Sequence, residues 1–160
     1  MLLTCVTGCD DETRAPTGPE TPCGQGALTL TLGAEHPWRA LTSAEAESFP
    51  VEAGNQGGFH IEPSFRLHGA FDPDEATVSL RLVGPNGTLG QYYETQVLLW
   101  LSDGACDYDL ARVVLVDQMG GLLSQEAVTA LEGVTLELQV EISSALGVVE
   151  ETLPLQVALP

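Results

Sequence analysis

Three aspartates near the middle of the chain have a spacing that could begin a cation-binding loop. Asp103, Asp107 and Asp109 lie in the segment 102–109, and calcium takes about six to eight oxygen ligands, which carboxylates on a turn can supply. The spacing departs from that of an EF-hand, although a second acidic loop at 72–75 could add oxygens from across the domain. We expect solvated loop carboxylates and no resident metal, and keep the three aspartates as the candidates for calcium.

Histidines are the other candidate ligands. His60 follows Gly57 and Gly58 and could contact a metal or another ligand beside that pair. We favour the alternative, a strand-edge histidine with the glycines forming a bulge or allowing close backbone approach. His60 and His68 share one parity, but they lie about 26 Å apart along a straight strand. They could chelate one ion together only if the strand folded back.

The first residues resemble an export signal. Val6-Thr7-Gly8-Cys9 is similar to a bacterial lipobox, in which an aliphatic and two small residues precede a cysteine. The resemblance implies cleavage before Cys9, a diacylglyceryl group on its thiol, and an anchor in the inner or outer membrane. The stretch before Cys9 is shorter than a signal peptide needs, so we expect the true start to lie upstream of Met1. A tail with incidental cysteines is the alternative.

Residues 9–25 are predicted to be a flexible acidic tether between a truncated signal region at 1–8 and a domain at 26–160. The tether is rich in proline, glycine and threonine and has almost no apolar side chains to bury. With Cys5 removed and Cys9 lipidated, Cys23 and Cys106 remain. Two such cysteines usually pair in an oxidising compartment. We therefore predict a disulfide between them, with two separate thiols as the alternative.

Charge and motif content exclude several functions. The chain has 23 acidic residues against 5 basic ones, all arginine, and a formal net charge of −18. Such a charge repels phosphate backbones and anionic headgroups, so we predict no nucleic-acid partner and membrane contact through the lipid alone. Neither a Gly-x-Ser-x-Gly elbow nor a His-Glu-x-x-His motif occurs in the chain. We therefore predict that the protein is not an enzyme and has no cofactor.

Alternation of apolar and polar residues dominates from residue 26 onward and predicts β-strands. The clearest run is at 134–142, with others at 28–32, 59–67, 78–82, 88–102, 106–117 and 153–159. Pro85-Asn86-Gly87 predicts a hairpin turn, Thr42-Ser43-Ala44-Glu45 could cap one helical turn, and residues 124–131 could form another. These patterns predict an all-β fold: an antiparallel, two-sheet, immunoglobulin-like sandwich of about seven or eight strands. A jelly roll or a small barrel is the alternative architecture.

Four aromatic residues could form a binding strip: Trp38, Tyr92, Tyr93 and Trp100. Such residues more often fill the core of a sandwich. We expect core packing above all for Trp100, which lies inside the apolar run 97–101.

One segment resembles a known group of proteins. Gly54-Asn55-Gln56-Gly57-Gly58-Phe59-His60, followed by Phe65-Arg66-Leu67 and Gly69, is similar to a stretch in exported lipoproteins of myxobacterial type. In those proteins a Gln-Gly-Gly-x-His stretch opens a long strand of an immunoglobulin-like sandwich. Leu131-Glu132-Gly133 and Gly147 fit the same pattern. The resemblance implies this fold and an exported location, and no activity, since none is assigned to the group.

These features predict a non-enzymatic lipoprotein of the cell envelope. Its sandwich would act as an interaction or structural module for an unidentified envelope or extracellular protein. The alternative is a calcium- or ligand-binding surface module that uses the acidic loops.

Overall fold

The computed structural model describes residues 23–34, 38–55, 57–97, 99–109 and 111–159. The predicted signal region, Cys9 and most of the predicted tether lie outside these residues. The elements, in chain order, are β1 (Thr29–Ala34), β2 (Arg39–Ala40), α1 (Ser43–Ala46), β3 (Phe49–Pro50), β4 (Glu52–Ala53), β5 (Phe59–Ile61), β6 (Ser64–His68), β7 (Ala76–Gly84), β8 (Gly87–Val97), β9 (Trp100–Ser102), β10 (Ala105–Tyr108), β11 (Val113–Leu115), α2 (Gln125–Thr129), β12 (Thr135–Ser144) and β13 (Gly147–Ala158). In this part of the chain no helix has both the length and the apolar character needed to cross a membrane.

The described strands form two sheets. One has the order β2-β1-β6-β10-β9, and the other has the order β3-β13-β12-β7-β8-β11-β5-β4. The predicted all-β, two-sheet architecture is therefore confirmed. The expectation of purely antiparallel pairing was wrong, because β3 lies parallel to β13. The expected number of strands was too low, since several predicted runs are interrupted: 88–102 divides into β8 and β9, after a left-handed turn of the backbone at Gln96 (φ 58°).

Long antiparallel strands of the larger sheet supply much of the core. In the pairing of β7 with β12, Leu82 lies opposite Leu138 and Leu80 opposite Val140. All four side chains are buried, while the residues between them are exposed or half-buried. Burying one such side chain contributes about 1.5–3 kcal/mol. The alternation of apolar and polar residues in the sequence therefore correctly predicts which face of each of these strands turns inward.

The predicted turns and caps are confirmed. The turn at 85–87 joins β7 to β8, and Gly87 has a φ of 119° that favours glycine. Thr42 caps α1 in a capping box, in which Thr42 Oγ1 accepts from the backbone of Glu45 and the Glu45 carboxylate accepts from the backbone of Thr42. Ser124 caps α2 by accepting from the Ala127 N–H.

The chain changes sheets between β5 and β6. β5 pairs with β4 and β11 in the larger sheet, whereas β6 pairs with β1 and β10 in the smaller one. Pro63, which has no N–H to continue a ladder, separates the two strands. The prediction of one strand over 59–67 was therefore wrong. His60 and His68 lie in different sheets, not along one line.

The expectation that Trp100 fills the core was also wrong. Its exposed fraction is 67%, and that of its neighbour Leu101 is 63%. Both lie in β9, a short strand at the edge of the smaller sheet. The core instead receives Val97 and Leu99 from the same apolar run. Of the other three aromatic candidates, Tyr93 is exposed, and Trp38 and Tyr92 are half-buried.

Candidate functional site

The predicted disulfide between Cys23 and Cys106 is confirmed, and both residues are fully buried. Cys106 lies within the smaller sheet, opposite Leu67 of β6 and Leu101 of β9. The backbone oxygen of Cys23 accepts a hydrogen bond of 3.0 Å from the Gly69 N–H. The bridge therefore holds Cys23, the first described residue of the chain, against the middle of the smaller sheet.

The candidate calcium ligands lie around an arginine. Asp107 is 5% exposed, and its two carboxylate oxygens accept from Arg66 Nε and Nη2 at 2.6 Å each. The hydrogen bond to Asp107 raises the pKa of Arg66, and the charges of Asp103 and Asp109 raise it further. The Trp38 ring lies 4.2 Å from the guanidinium carbon of Arg66. This cluster forms because Arg66 of β6 and Asp107 of β10 are direct cross-strand partners.

The second acidic loop has its own local hydrogen bond. Asp72 Oδ1 accepts from the Asp74 N–H at 3.1 Å, and Glu75 has a φ of 57°. In neither acidic loop, as far as the structure describes them, do three histidine, cysteine or carboxylate ligand atoms lie within 4.8 Å of one another.

A different set of residues meets that distance criterion: Glu52, His60 and Glu62. Glu52 of β4 is the direct cross-strand partner of His60 of β5, so the two side chains project from the same face of the sheet. Glu62 follows His60 by two positions and takes the same face. His60 Nε2 lies 3.1 Å from Glu62 Oε1 and 3.8 Å from Glu52 Oε2. These three groups could hold a metal ion.

His60 has an unusual environment for the outer face of a sheet. Its side chain is 8% exposed, compared with 57% for Glu52 and 15% for Glu62. Nε2 is buried, and neither carboxylate oxygen lies in hydrogen-bonding geometry with it. Burial of a polar nitrogen without a hydrogen bond costs roughly 1–3 kcal/mol. His60 therefore stands out among the described histidines, because His68 is exposed.

Arg112 lies at the border of this cluster. Its Nε donates to Glu62 Oε1 at 2.7 Å, and its Nη2 lies 2.5 Å from the same oxygen. The Arg112 side chain is 63% exposed. Arg112, Glu52 and His60 also line a cleft of about 510 Å³ that includes glycines of the β4–β5 turn. The cluster is therefore open to solvent on one side.

A third polar group links the two sheets. The hydroxyls of Tyr92, in β8, and Tyr108, in β10, both donate to Glu94 Oε2. The two hydroxyl oxygens lie 2.5 Å apart. These bonds lower the pKa of Glu94, while burial raises the pKa of both tyrosines. The group keeps its phenols protonated and its carboxylate ionised, which suits a structural link between sheets.

Sequence reasoning identified His60 and missed its two partners. Glu62 has a detectable signal, because a residue two positions from His60 shares its face. Glu52 becomes visible only if the glycine-rich stretch at 54–58 is taken as the turn of a hairpin. Comparison with known proteins adds no further candidate: no protein-family model matches the chain, and no curated protein matches it.

Proposed function

We propose that this protein is a non-enzymatic binding module of a bacterial cell envelope. It consists of an immunoglobulin-like sandwich held near a membrane by a lipid on Cys9 and a tether at 9–25. Its partner is an envelope or extracellular protein that docks a strand and apolar side chains against β9. The resemblance to exported myxobacterial-type lipoproteins belongs to the same proposal.

The exposed edge strand β9 is the observation that carries the interaction. Neighbouring residues of a strand point to opposite faces, yet Trp100 and Leu101 are both more than 60% exposed. Within the described chain β9 pairs with β10 alone. An unpaired strand edge can accept a strand from a second protein, and tryptophan is enriched among residues that dominate binding energy.

Charge indicates the chemistry of the partner. Asp103 follows β9 directly, and the whole chain has a net charge of −18. A partner with basic residues beside its apolar contact would associate fastest and would be favoured over acidic proteins. The exposed apolar pair would then provide the affinity, and the charge would provide the selectivity.

Export is supported by the disulfide. Disulfides persist in oxidising compartments and are rare in the cytosol, and the structure has such a bridge between Cys23 and Cys106. The lipid on Cys9 completes the proposal.

A photo-crosslinking experiment in the native host tests the interaction. A benzophenone amino acid replaces Trp100 in one variant and Leu146 in a control. Leu146 is also an exposed apolar residue, at 55%, but it lies in the β12–β13 turn. We expect a discrete adduct from position 100 that is lost when Leu101→Asp is added, and no such adduct from position 146. Equal adducts at both positions, or none at position 100, would contradict the proposal.

The anchor has a separate test. The intact mass of the protein purified from native membranes should correspond to a lipid-modified Cys9 terminus. Cys9→Ser should release the protein into the soluble envelope fraction, whereas Cys5→Ser, on the other side of the predicted cleavage site, should leave it membrane-bound. An unmodified chain that retains Met1 would refute the anchor without affecting the crosslinking result.

A further inference from the structure

We propose that Glu52, His60 and Glu62 bind one divalent transition-metal cation, of which Zn²⁺ is the representative. This site is independent of the β9 edge strand and of the lipid anchor. The ion would sit on the outer face of the larger sheet, where the β4–β5 hairpin and the residues after β5 meet. The inference goes beyond the proposed binding function, which stands or fails separately.

The buried imidazole nitrogen is the first observation behind the site. His60 Nε2 is buried and has no hydrogen-bond partner among the described residues, although two carboxylates flank it. A buried nitrogen between two carboxylates is an arrangement that a bound cation would satisfy. Metal-binding histidines use neutral Nε2 or Nδ1 as the donor.

The distances agree with a common ion. With bonds of about 2.0–2.2 Å, the donor atoms around a tetrahedral zinc ion lie about 3.3–3.6 Å apart. His60 Nε2 lies 3.1 Å from the nearer oxygen of Glu62 and 3.8 Å from the nearer oxygen of Glu52. All three donors lie within 4.8 Å of one another. The two distances from His60 Nε2 each lie within a few tenths of an ångström of that range, and the exposed Glu52 side chain has the freedom to close the remaining separation from Glu62.

The donor set selects the class of ion. Calcium and magnesium prefer oxygen ligands throughout, whereas imidazole suits zinc, copper, nickel and iron. Zinc accepts both histidine nitrogen and carboxylate oxygen as ligands. The two formal negative charges of Glu52 and Glu62 also favour a divalent cation over a monovalent one.

Arg112 competes with the ion. Its guanidinium bonds to Glu62 Oε1, which is also the oxygen closest to His60 Nε2. Because the Arg112 side chain is 63% exposed, it can turn into solvent when an ion takes its place. Arg112 and the metal ion would then be alternative partners of Glu62. When metal is scarce, Arg112 would keep the Glu62 carboxylate paired.

The three protein donors leave a coordination position open. The cleft of about 510 Å³ beside Glu52 and His60 provides access to that position. Zinc sites with three protein ligands keep a water or an external ligand in the fourth position. The fourth ligand here would be a water molecule or a donor atom that enters through the cleft.

Isothermal titration with Zn²⁺ alone tests the site. The full chain is used with its disulfide intact, and every sample carries Cys5→Ser and Cys9→Ser so that no thiolate competes for zinc. We expect one strong site per chain and binding at least about 100-fold weaker in His60→Gln and Glu62→Gln. His68→Gln is the matched control, and its dissociation constant should equal that of the reference protein.

Two further variants guard against a folding artefact. Glu52→Gln alters a side chain that is 57% exposed, so its fold should persist, and its zinc affinity should fall about tenfold. Arg112→Gln removes the competing guanidinium and should tighten binding by about tenfold. Cobalt absorption bands that are present in the reference protein and absent in His60→Gln would show that the bound ion depends on the imidazole.

Several results would overturn the site. Zinc affinity that is the same in His60→Gln and in the reference protein would show diffuse adsorption on an acidic surface. If His68→Gln lost as much zinc affinity as His60→Gln, that would also indicate diffuse adsorption and not a site at His60. If calcium bound as tightly as zinc, the imidazole of His60 would not determine which ion binds. If Arg112→Gln bound zinc more weakly than the reference protein, Arg112 and the ion would not compete for Glu62.

Discussion

Removal of the Cys23–Cys106 disulfide should lower the stability of the domain more than the loss of any single core methyl group. The two cysteines are separated by 83 residues. In the chain-entropy model, closing a loop of this length restricts the unfolded chain by about 15 cal/mol/K, or about 4.5 kcal/mol at 25 °C. Small domains have total stabilities of about 5–15 kcal/mol. The bridge would therefore account for much of the stability of this one.

The assay is urea unfolding of Cys23→Ala/Cys106→Ala, followed by circular dichroism. For a domain of this size a slope of about 2 kcal/mol/M converts the loss into a midpoint about 2 M lower. Reduction of the original protein should reproduce the shift, which separates the lost bridge from the small cavities left by alanine. Cys5→Ser/Cys9→Ser is the control and should leave the midpoint unchanged.

A midpoint that falls by less than about 0.5 M in the double alanine variant would refute this reasoning. That result would mean that the unfolded chain is already compact near these residues, so that cross-linking removes little entropy.

Three other changes have defined outcomes. Arg66→Met should lower the free energy of unfolding by about 3 kcal/mol, because it leaves the buried Asp107 carboxylate unpaired; urea melts check this, and an unchanged stability would contradict it. Gly69→Ala should lower the free energy of unfolding by at least about 2 kcal/mol, since φ is 125° and the added carbon would clash with the backbone oxygen of Ala27; full stability in the same melts would contradict this close approach. NMR titration should place the Glu45 pKa at about 2. The ionised carboxylate should then stabilise the fold fully above pH 4.5, and this stabilisation should be lost as the pH falls toward 2. Arg39→Gln should raise the pKa of Glu45, and an ordinary Glu45 pKa in the unaltered protein would contradict the ion pair.

The two proposals concern different sheets and can be tested apart. The β9 edge belongs to the smaller sheet, whereas the Glu52–His60–Glu62 cluster lies at an edge hairpin of the larger one. Leu101→Asp should abolish crosslinking without changing zinc affinity, and His60→Gln should do the reverse. If both variants lost both properties, global unfolding would be the cause.

The sequence by itself determined the features that depend on near neighbours. Alternation with a period of two marked the inner face of β7 and β12, because each strand turns every second side chain toward the core. Gly87 marked the hairpin between β7 and β8, and Thr42 and Ser124 marked the starts of α1 and α2, because their backbone requirements are local. The pairing of Cys23 with Cys106 followed from cysteine count and compartment.

Only the tertiary structure decided which strands lie side by side. It brought Glu52 opposite His60, placed Arg66 on Asp107, and left Trp100 on an edge strand. The alternation of apolar and polar residues predicts which side chains of a strand face inward. It does not predict which strand lies beside it or whether the strand lies at the edge of a sheet. Register and sheet order follow from the packing of the whole chain, in which many distant contacts are satisfied together. Both candidate sites depend on strand order and register, so the sequence alone could not predict them.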